Sequence, residues 1–257
     1  MKFSRSLVRA AITASVVGLS VQIAVQTVWA DSSADEQVIR KNLTQYMPNL
    51  PIDSVTPTPV KGIYQVLSKG QIAYVTADGR YLFAGNLLDL KAQANLTARV
   101  RSLQNLELLK TVPADHKMIY PAEGVKKSTI WVLTDPTCPF CEKLHGEIPA
   151  LQKAGIEVQT ILTPRDGKGS QGYVESSQIM CGHQQKADLS AAMAHRPLGG
   201  PACKNAMIDA NMQLADELGM TGTPYIIMPD GSSVPGYRPA SALIPEIVQA
   251  STGSAGQ

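Results

Sequence analysis

Cys138-Pro139-Phe140-Cys141 sets two thiols at C-x-x-C spacing where an apolar run, Thr129 to Leu133, passes into an amphipathic one. A strand handing over to a helix there leaves the first sulfur exposed beside the unpaired N–H groups of the helix start, whose partial positive charge favours thiolate over thiol. In such a setting a cysteine pKa falls from about 8.5 into the range of roughly 3.5 to 7.5, and the sulfur becomes a nucleophile toward disulfides at neutral pH. The second thiol then attacks the mixed disulfide and leaves the pair oxidised, so two cysteines suffice for a full exchange cycle. Pro139 suits the first helical turn, which needs no N–H from it and matches its fixed φ. The competing use of these residues is half a zinc site, with His145 four residues after Cys141 on the same helical face. Zinc usually takes a second close pair of ligands, whereas Cys181 and Cys203 stand alone and far apart. Neither a metal nor another cofactor is therefore expected, and His145 reads as a residue packed on the helix.

The elements around this pair begin with an export signature. Lys2, Arg5 and Arg9 precede a largely apolar run from Ala10 to Val28, a small-residue exit at Val28-Trp29-Ala30 and polar Asp31-Ser32-Ser33. This reads as a secretory signal over residues 1–30, with an uncleaved anchor as the alternative. Removing it takes away three basic and no acidic side chains, leaving 20 Lys and Arg against 21 Asp and Glu, a formal charge of −1. Such a surface offers no electrostatic footprint for nucleic acid. All four cysteines lie in the exported part, which suits an oxidising compartment such as a bacterial periplasm. Cys181 and Cys203 are expected to form a structural disulfide worth about 3 kcal/mol on the chain-entropy model, the alternative being two buried free thiols.

The remaining 227 residues exceed what one small core needs, and two domains are expected. Ser33-Ala34-Asp35-Glu36 has capping-box spacing, followed at helical intervals by Ile39, Leu43, Tyr46 or Met47, and Leu50. After Pro48 the period becomes two, and Ile63–Leu67, Gln71–Thr76 and Arg80–Ala84 read as strands with Asp78-Gly79 as a hairpin turn. One helix and a few strands over 31–87 make a domain that is marginal alone and gains from pairing with a second copy. Leu88 to Val112 lacks Gly and Pro and reads as one helix, a rigid connector. From 113 to 257 strands and helices alternate: strand Ser128–Thr134, the Cys138 helix, strand Glu157–Thr163, a helical segment with Cys181, a helix from Asn205 to Leu218, a hairpin turned at Asp230-Gly231, and a final helix Pro239–Ala250.

A dithiol after the first strand and a late antiparallel hairpin resemble a thioredoxin-like sheet with a helical insertion. With the signal, the small N-terminal module, the connecting helix, Lys143-Leu144-His145 after the dithiol, the distant cysteine pair, Thr221-Gly222-Thr223-Pro224 and Val234-Pro235-Gly236-Tyr237, the whole exported chain resembles the DsbC/DsbG family of periplasmic protein disulfide isomerases. Pro-Phe between the cysteines is nearer the DsbG branch and the short linker nearer the DsbC branch, which is preferred.

The resemblance implies an α+β chain with a cystatin-like dimerisation domain, a linker helix and a thioredoxin-like catalytic domain. It implies a homodimer whose Cys138 and Cys141 isomerise or reduce wrong disulfides in misoxidised exported proteins, kept reduced by a DsbD-type membrane reductase. Thr223 and Pro224, with Pro224 in cis, would face the dithiol and hold the substrate backbone. A DsbG-like reductase of oxidised single cysteines with chaperone activity is the alternative.

Overall fold

The computed structural model describes residues 22–203 and 205–253, with side chains over 33–203 and 205–252. Most of the signal reading, residues 1–21, thus lies outside the described residues. The chain divides into two compact units, one of the residues up to Val66 with Ala73–Phe83, the other of Leu67–Ile72 with Ala84 onward. Among the described residues no helix is long and apolar enough to cross a membrane.

In the first unit helix α1 spans Gln22–Tyr46. The expected start at Ser33 is corrected: the segment before it contains no Gly or Pro, so nothing stops the helix from running on through the capping-box residues. Ile39 and Leu43, one turn apart, are buried against Val55, Tyr64, Val66 and Val75. Tyr46 and Met47, which continue the apolar spacing, are exposed because the helix ends there. Four strands, β1 (Ser54–Pro57), β2 (Ile63–Ser68), β3 (Gln71–Thr76) and β4 (Leu82–Ala84), form a sheet in sequential order. Gly79, at φ +65°, turns β3 toward β4, its N–H donating to the Thr76 carbonyl. β1 had no recognised signal; its four residues are too few to show a period.

From Ala84 onward the second unit runs through an antiparallel ribbon of β5 (Leu88–Asp89) and β6 (Ala94–Asn95), then α2 (Leu96–Lys110). The connector helix expected from Leu88 thus begins at Leu96. Asn95 caps it, its Oδ1 accepting from Ala98 N, and Thr97 Oγ1 accepts from Leu87 N, which ties the ribbon back across the first turn. Downstream lie β7 (Met118–Tyr120), β8 (Ser128–Thr134), α3 (Pro139–Lys153), β9 (Ile156–Leu162), α4 (Gln171–Cys181), α5 (Gln185–Met193), α6 (Ala206–Glu217), β10 (Tyr225–Ile227), β11 (Ser233–Pro235) and α7 (Ala240–Gly253). The sheet order is β11-β10-β8-β9-β7; β8 and β9 are parallel, joined by α3, and the other pairs antiparallel. This is the thioredoxin-like arrangement expected of the alternating pattern.

Successive residues of β8 and β9 serve two cores, as the strand period of two requires. Ile130, Val132 and Val158 pack with Leu144, Ile148 and Leu151 of α3 and Leu243 and Ile247 of α7. On the other face Leu133, Ile161 and Ile227 meet Leu214 of α6, Leu218 at its C-terminal cap and Leu109 of α2. A third cluster joins α4 and α5, through Ile179, Met180, Leu189 and Met193, to Leu162, Cys138 and Cys141. These two helices are the insertion.

Helix α2 is bound to the catalytic sheet rather than standing free as a connector. Asn105, 2 % exposed, donates to the Gly231 carbonyl at 2.9 Å. Gly231 sits at φ +83°, and a Cβ there would lie 2.0 Å from the Ser102 carbonyl oxygen. Gly231→Ala is therefore expected to lower the stability of this unit by about 1–3 kcal/mol from backbone strain, and further through the clash with the Ser102 carbonyl. Urea unfolding of the variant reads this directly, and a loss no larger than the backbone strain by itself would mean that α2 does not dock here.

Candidate active site

The turn that delivers the dithiol is built on one buried carboxylate. Asp135, at the end of β8, accepts from Thr137 N at 2.8 Å, Thr137 Oγ1 at 2.7 Å and Arg165 N at 3.1 Å. Arg165 Nη1 lies 3.8 Å from its Oδ2. A side chain in place of Gly172 would strike this carboxylate, with Cβ 2.7 Å from Oδ1, so α4 closes directly over the turn. The result is a rigid hand-over from strand to helix, as a buried charge requires of its partners.

Cys138 emerges from this turn as the N-cap of α3, with extended backbone and Pro139 at the first helical position. Its Sγ donates to the Thr223 carbonyl at 3.3 Å, across a separation of 85 residues in the chain. The Thr223–Pro224 peptide is cis. The structure thus brings together four of the residues singled out from the sequence, Cys138, Cys141, Thr223 and Pro224. It differs in one respect: Cys138 is 4 % exposed, not open, packed in the cluster with Leu162 and Ile179 and against the Thr223 carbonyl.

Burial by itself raises the pKa of Cys138. The Thr223 side chain, the Cys141 N–H and thiol and the Phe140 N–H all hydrogen-bond its anion, and together they bring it below the ordinary thiol value. Arg165 Nη1 donates to Thr223 Oγ1 at 3.4 Å, leaving the hydroxyl proton free to point at sulfur. Cys141 stands in the opposite state. Only 1 % exposed, it is pushed up to about 12 by burial, against hydrogen bonds from the Thr134 side chain and the Asp135 backbone. Cys138 is therefore the readier of the two thiols to ionise, and Cys141 the one that holds its proton.

His145, one turn after Cys141, packs edge-on against the Tyr120 ring at 5.9 Å, and its Nε2 lies 2.9 Å from Ser190 Oγ. Phe140 is 54 % exposed, with Lys143 Nζ 5.3 Å from its ring centre. Cys181, the last residue of α4, is bonded to Cys203, just before the α6 cap Asn205. The bond joins two ends of the helical insertion and leaves Cys138 and Cys141 as the free thiols.

Sequence reasoning did not single out Asp135, Arg165, Thr134 or Ser190. Asp135, three residues before the first cysteine at a strand end, carried a usable signal. Arg165 and Ser190 carried none, since only the fold brings their loops to the site.

A thioredoxin-like sheet with a buried, anion-stabilised thiol at a helix start defines a thiol–disulfide exchange enzyme. Residues 30–98 match the disulfide bond isomerase protein N-terminal domain, and residues 115–251 the thioredoxin-like domain. The chain is 32% identical over 213 residues to the thiol:disulfide interchange protein DsbC of Dickeya dadantii (strain 3937), covering 82% of this chain and 86% of that one. Against DsbC of Escherichia coli (strain K12) the identity is 29% over 213 residues, covering 82% and 87%. A crystal structure of a disulfide interchange protein from Neisseria gonorrhoeae matches at TM-score 0.45 and 24% identity, over 52% of this chain and 96% of that one. The chain belongs to the DsbC family of thiol:disulfide interchange proteins.

Proposed function

We propose that this enzyme is a periplasmic disulfide isomerase in which Cys138 is the attacking sulfur. The observation that carries the reading is the opposed preparation of the two thiols, one lowered at the start of α3 and the other raised within its first turn. The Cys138 thiolate attacks a wrong disulfide in an exported protein, forming a mixed disulfide and releasing one substrate thiolate. That thiolate, or another in the same substrate, attacks back to form a new pairing and regenerates Cys138. When none does, Cys141 resolves the adduct, the substrate leaves reduced, and a DsbD-type membrane reductase returns two electrons to the enzyme. Thr223 and Pro224 hold the substrate beside the sulfur, and Cys181–Cys203 is structural.

The same proposal assigns residues 1–30 as a signal peptide, 31–87 as the dimerisation domain and 113–257 as the catalytic domain. It takes Leu96–Lys110, with its preceding ribbon, as the linker helix in place of the 88–112 expected from the sequence. Dimerisation is supported by β4, one of the two edge strands of its sheet, on and beside which Tyr81, Leu82 and Phe83 are exposed. An uncovered edge of this kind invites pairing with a second copy.

Two measurements test the isomerase reading. Thiol trapping in cells is expected to find Cys138 and Cys141 mostly reduced, and the purified protein is expected to reactivate scrambled ribonuclease. A pair found oxidised in cells, with no reactivation, would instead describe a net oxidase.

A further inference from the structure

Beside Cys141 is a cavity of about 10 Å³ lined by Thr134, Cys141, His145, Thr160 and apolar side chains of β8, β9 and α3. That is about the space one water occupies, and a water settles in such a place only where polar groups receive it. Thr160 Oγ1 is buried and has no hydrogen-bond partner among the described residues. His145 supplies a second polar group in a defined state. Ser190 Oγ donates its one proton to the Lys186 carbonyl at 2.9 Å, so it accepts from His145 Nε2, which therefore carries the ring proton. Nδ1 is left bare, the basic nitrogen of a neutral imidazole. Cys141 and His145 stand one helical turn apart, about 5–6 Å between Cβ atoms, a gap that one water spans.

We propose that this cavity holds a single water joining Cys141 Sγ, Thr160 Oγ1 and His145 Nδ1, and that His145 accepts the Cys141 proton through it when Cys141 resolves a mixed disulfide. The inference rests on the reading of Cys138 as the attacking sulfur and deepens it. In the step, the Cys141 S–H bond breaks and its proton passes by way of the water to Nδ1. The sulfur attacks Cys138 Sγ, the Cys138–substrate bond breaks, and the substrate sulfur leaves with both electrons of that bond. The substrate thiolate takes a proton from solvent, and the imidazolium returns one to it.

A thiol raised to about 12 needs such an acceptor, since at neutral pH almost none of it ionises unaided. The titratable groups around His145 are Cys141 on α3, Tyr120 on β7 and Lys186 on α5, whose Nζ lies 5.2 Å from the Tyr120 ring centre. Tyr120 is itself held neutral by burial, and burial lowers the pKa of His145, which keeps the ring unprotonated at neutral pH.

The test is a single-turnover reaction of the reduced full chain with the aromatic disulfide DTNB, which releases one coloured thiolate when Cys138 attacks and a second when Cys141 resolves. In the wild type the second burst is expected to hold its rate at pH 7 and to fall as pH drops through the depressed His145 pKa. In His145→Gln the second burst is expected to slow about tenfold or more relative to the first at neutral pH, with the gap closing as alkali replaces the base. Thr160→Val, which keeps the shape and removes the hydroxyl, is expected to slow it several-fold. A second burst with wild-type rate and pH profile in either variant would overturn the proposal. A first burst that survives in Cys138→Ser would overturn the assignment of Cys138 itself, a failure seen in a different phase from the His145 effect.

Discussion

Replacing Cys138 by serine is expected to abolish thiol–disulfide exchange, whereas Cys141→Ser is expected to accumulate mixed disulfides with its substrates. The two thiols differ in what surrounds their anions. Hydrogen bonds from Thr223, Cys141 and Phe140 gather on Cys138 at the N-terminus of α3, while Cys141 lies inside the first turn and is pushed up to about 12. Because the rate of attack follows the thiolate population, the first sulfur is the one that reacts at neutral pH. Its reactivity falls only as pH is lowered through its depressed pKa, so alkylation of Cys138 should persist below the pH at which a free thiol stops reacting. Mass mapping after brief iodoacetamide treatment of the reduced protein checks the order, and preferential labelling of Cys141 would reverse the roles. Non-reducing gels of cell extracts carrying Cys141→Ser check the trap.

The second large effect separates the two units. A chain starting at Gly85 is expected to be a folded monomer that still exchanges small disulfides but no longer reactivates scrambled ribonuclease. The proposed chemistry lies in β8, α3, β9 and the segment before β10, all retained in this fragment, while on the proposed reading holding a misfolded chain needs a dimer. Starting instead at Lys110, the boundary a free connector helix would suggest, removes Asn105 and Leu109. Asn105 leaves the Gly231 carbonyl unpaired, and Leu109, 3 % exposed, leaves a gap between α6 and the sheet. The shorter fragment is expected to be less stable than the longer by about 3–5 kcal/mol. Sedimentation, the ribonuclease assay and urea unfolding of both fragments decide these points. Equal isomerase activity from a monomeric fragment would refute the part given to the N-terminal domain.

Local interactions made the dithiol legible. The N-cap position of Cys138, Pro139 in the first turn and the apolar run of β8 all lie within about a dozen residues, and each has a periodicity or positional preference that composition alone exposes. The same holds for β3, for the turn at Gly79 and for α6 with its Asn205 cap. Where the sequence misled, a non-local contact or a missing stop signal decided the outcome. Nothing in Leu88–Asn95 forbids a helix, yet the ribbon tied by Thr97 to Leu87 holds it in strands. Ser33 has the right chemistry for a cap, but a helix-compatible segment precedes it. The three residues of β7 acquire their identity by pairing with β9. What only the tertiary structure decided is the electrostatic state of the site: Thr223 arrives at Cys138 from 85 residues away and Arg165 at Asp135 from 30. A pattern in sequence reports which groups are present and which face they share. The pKa of a thiol depends on burial and on the atoms that reach its anion, and those are set by packing between elements that the sequence keeps far apart.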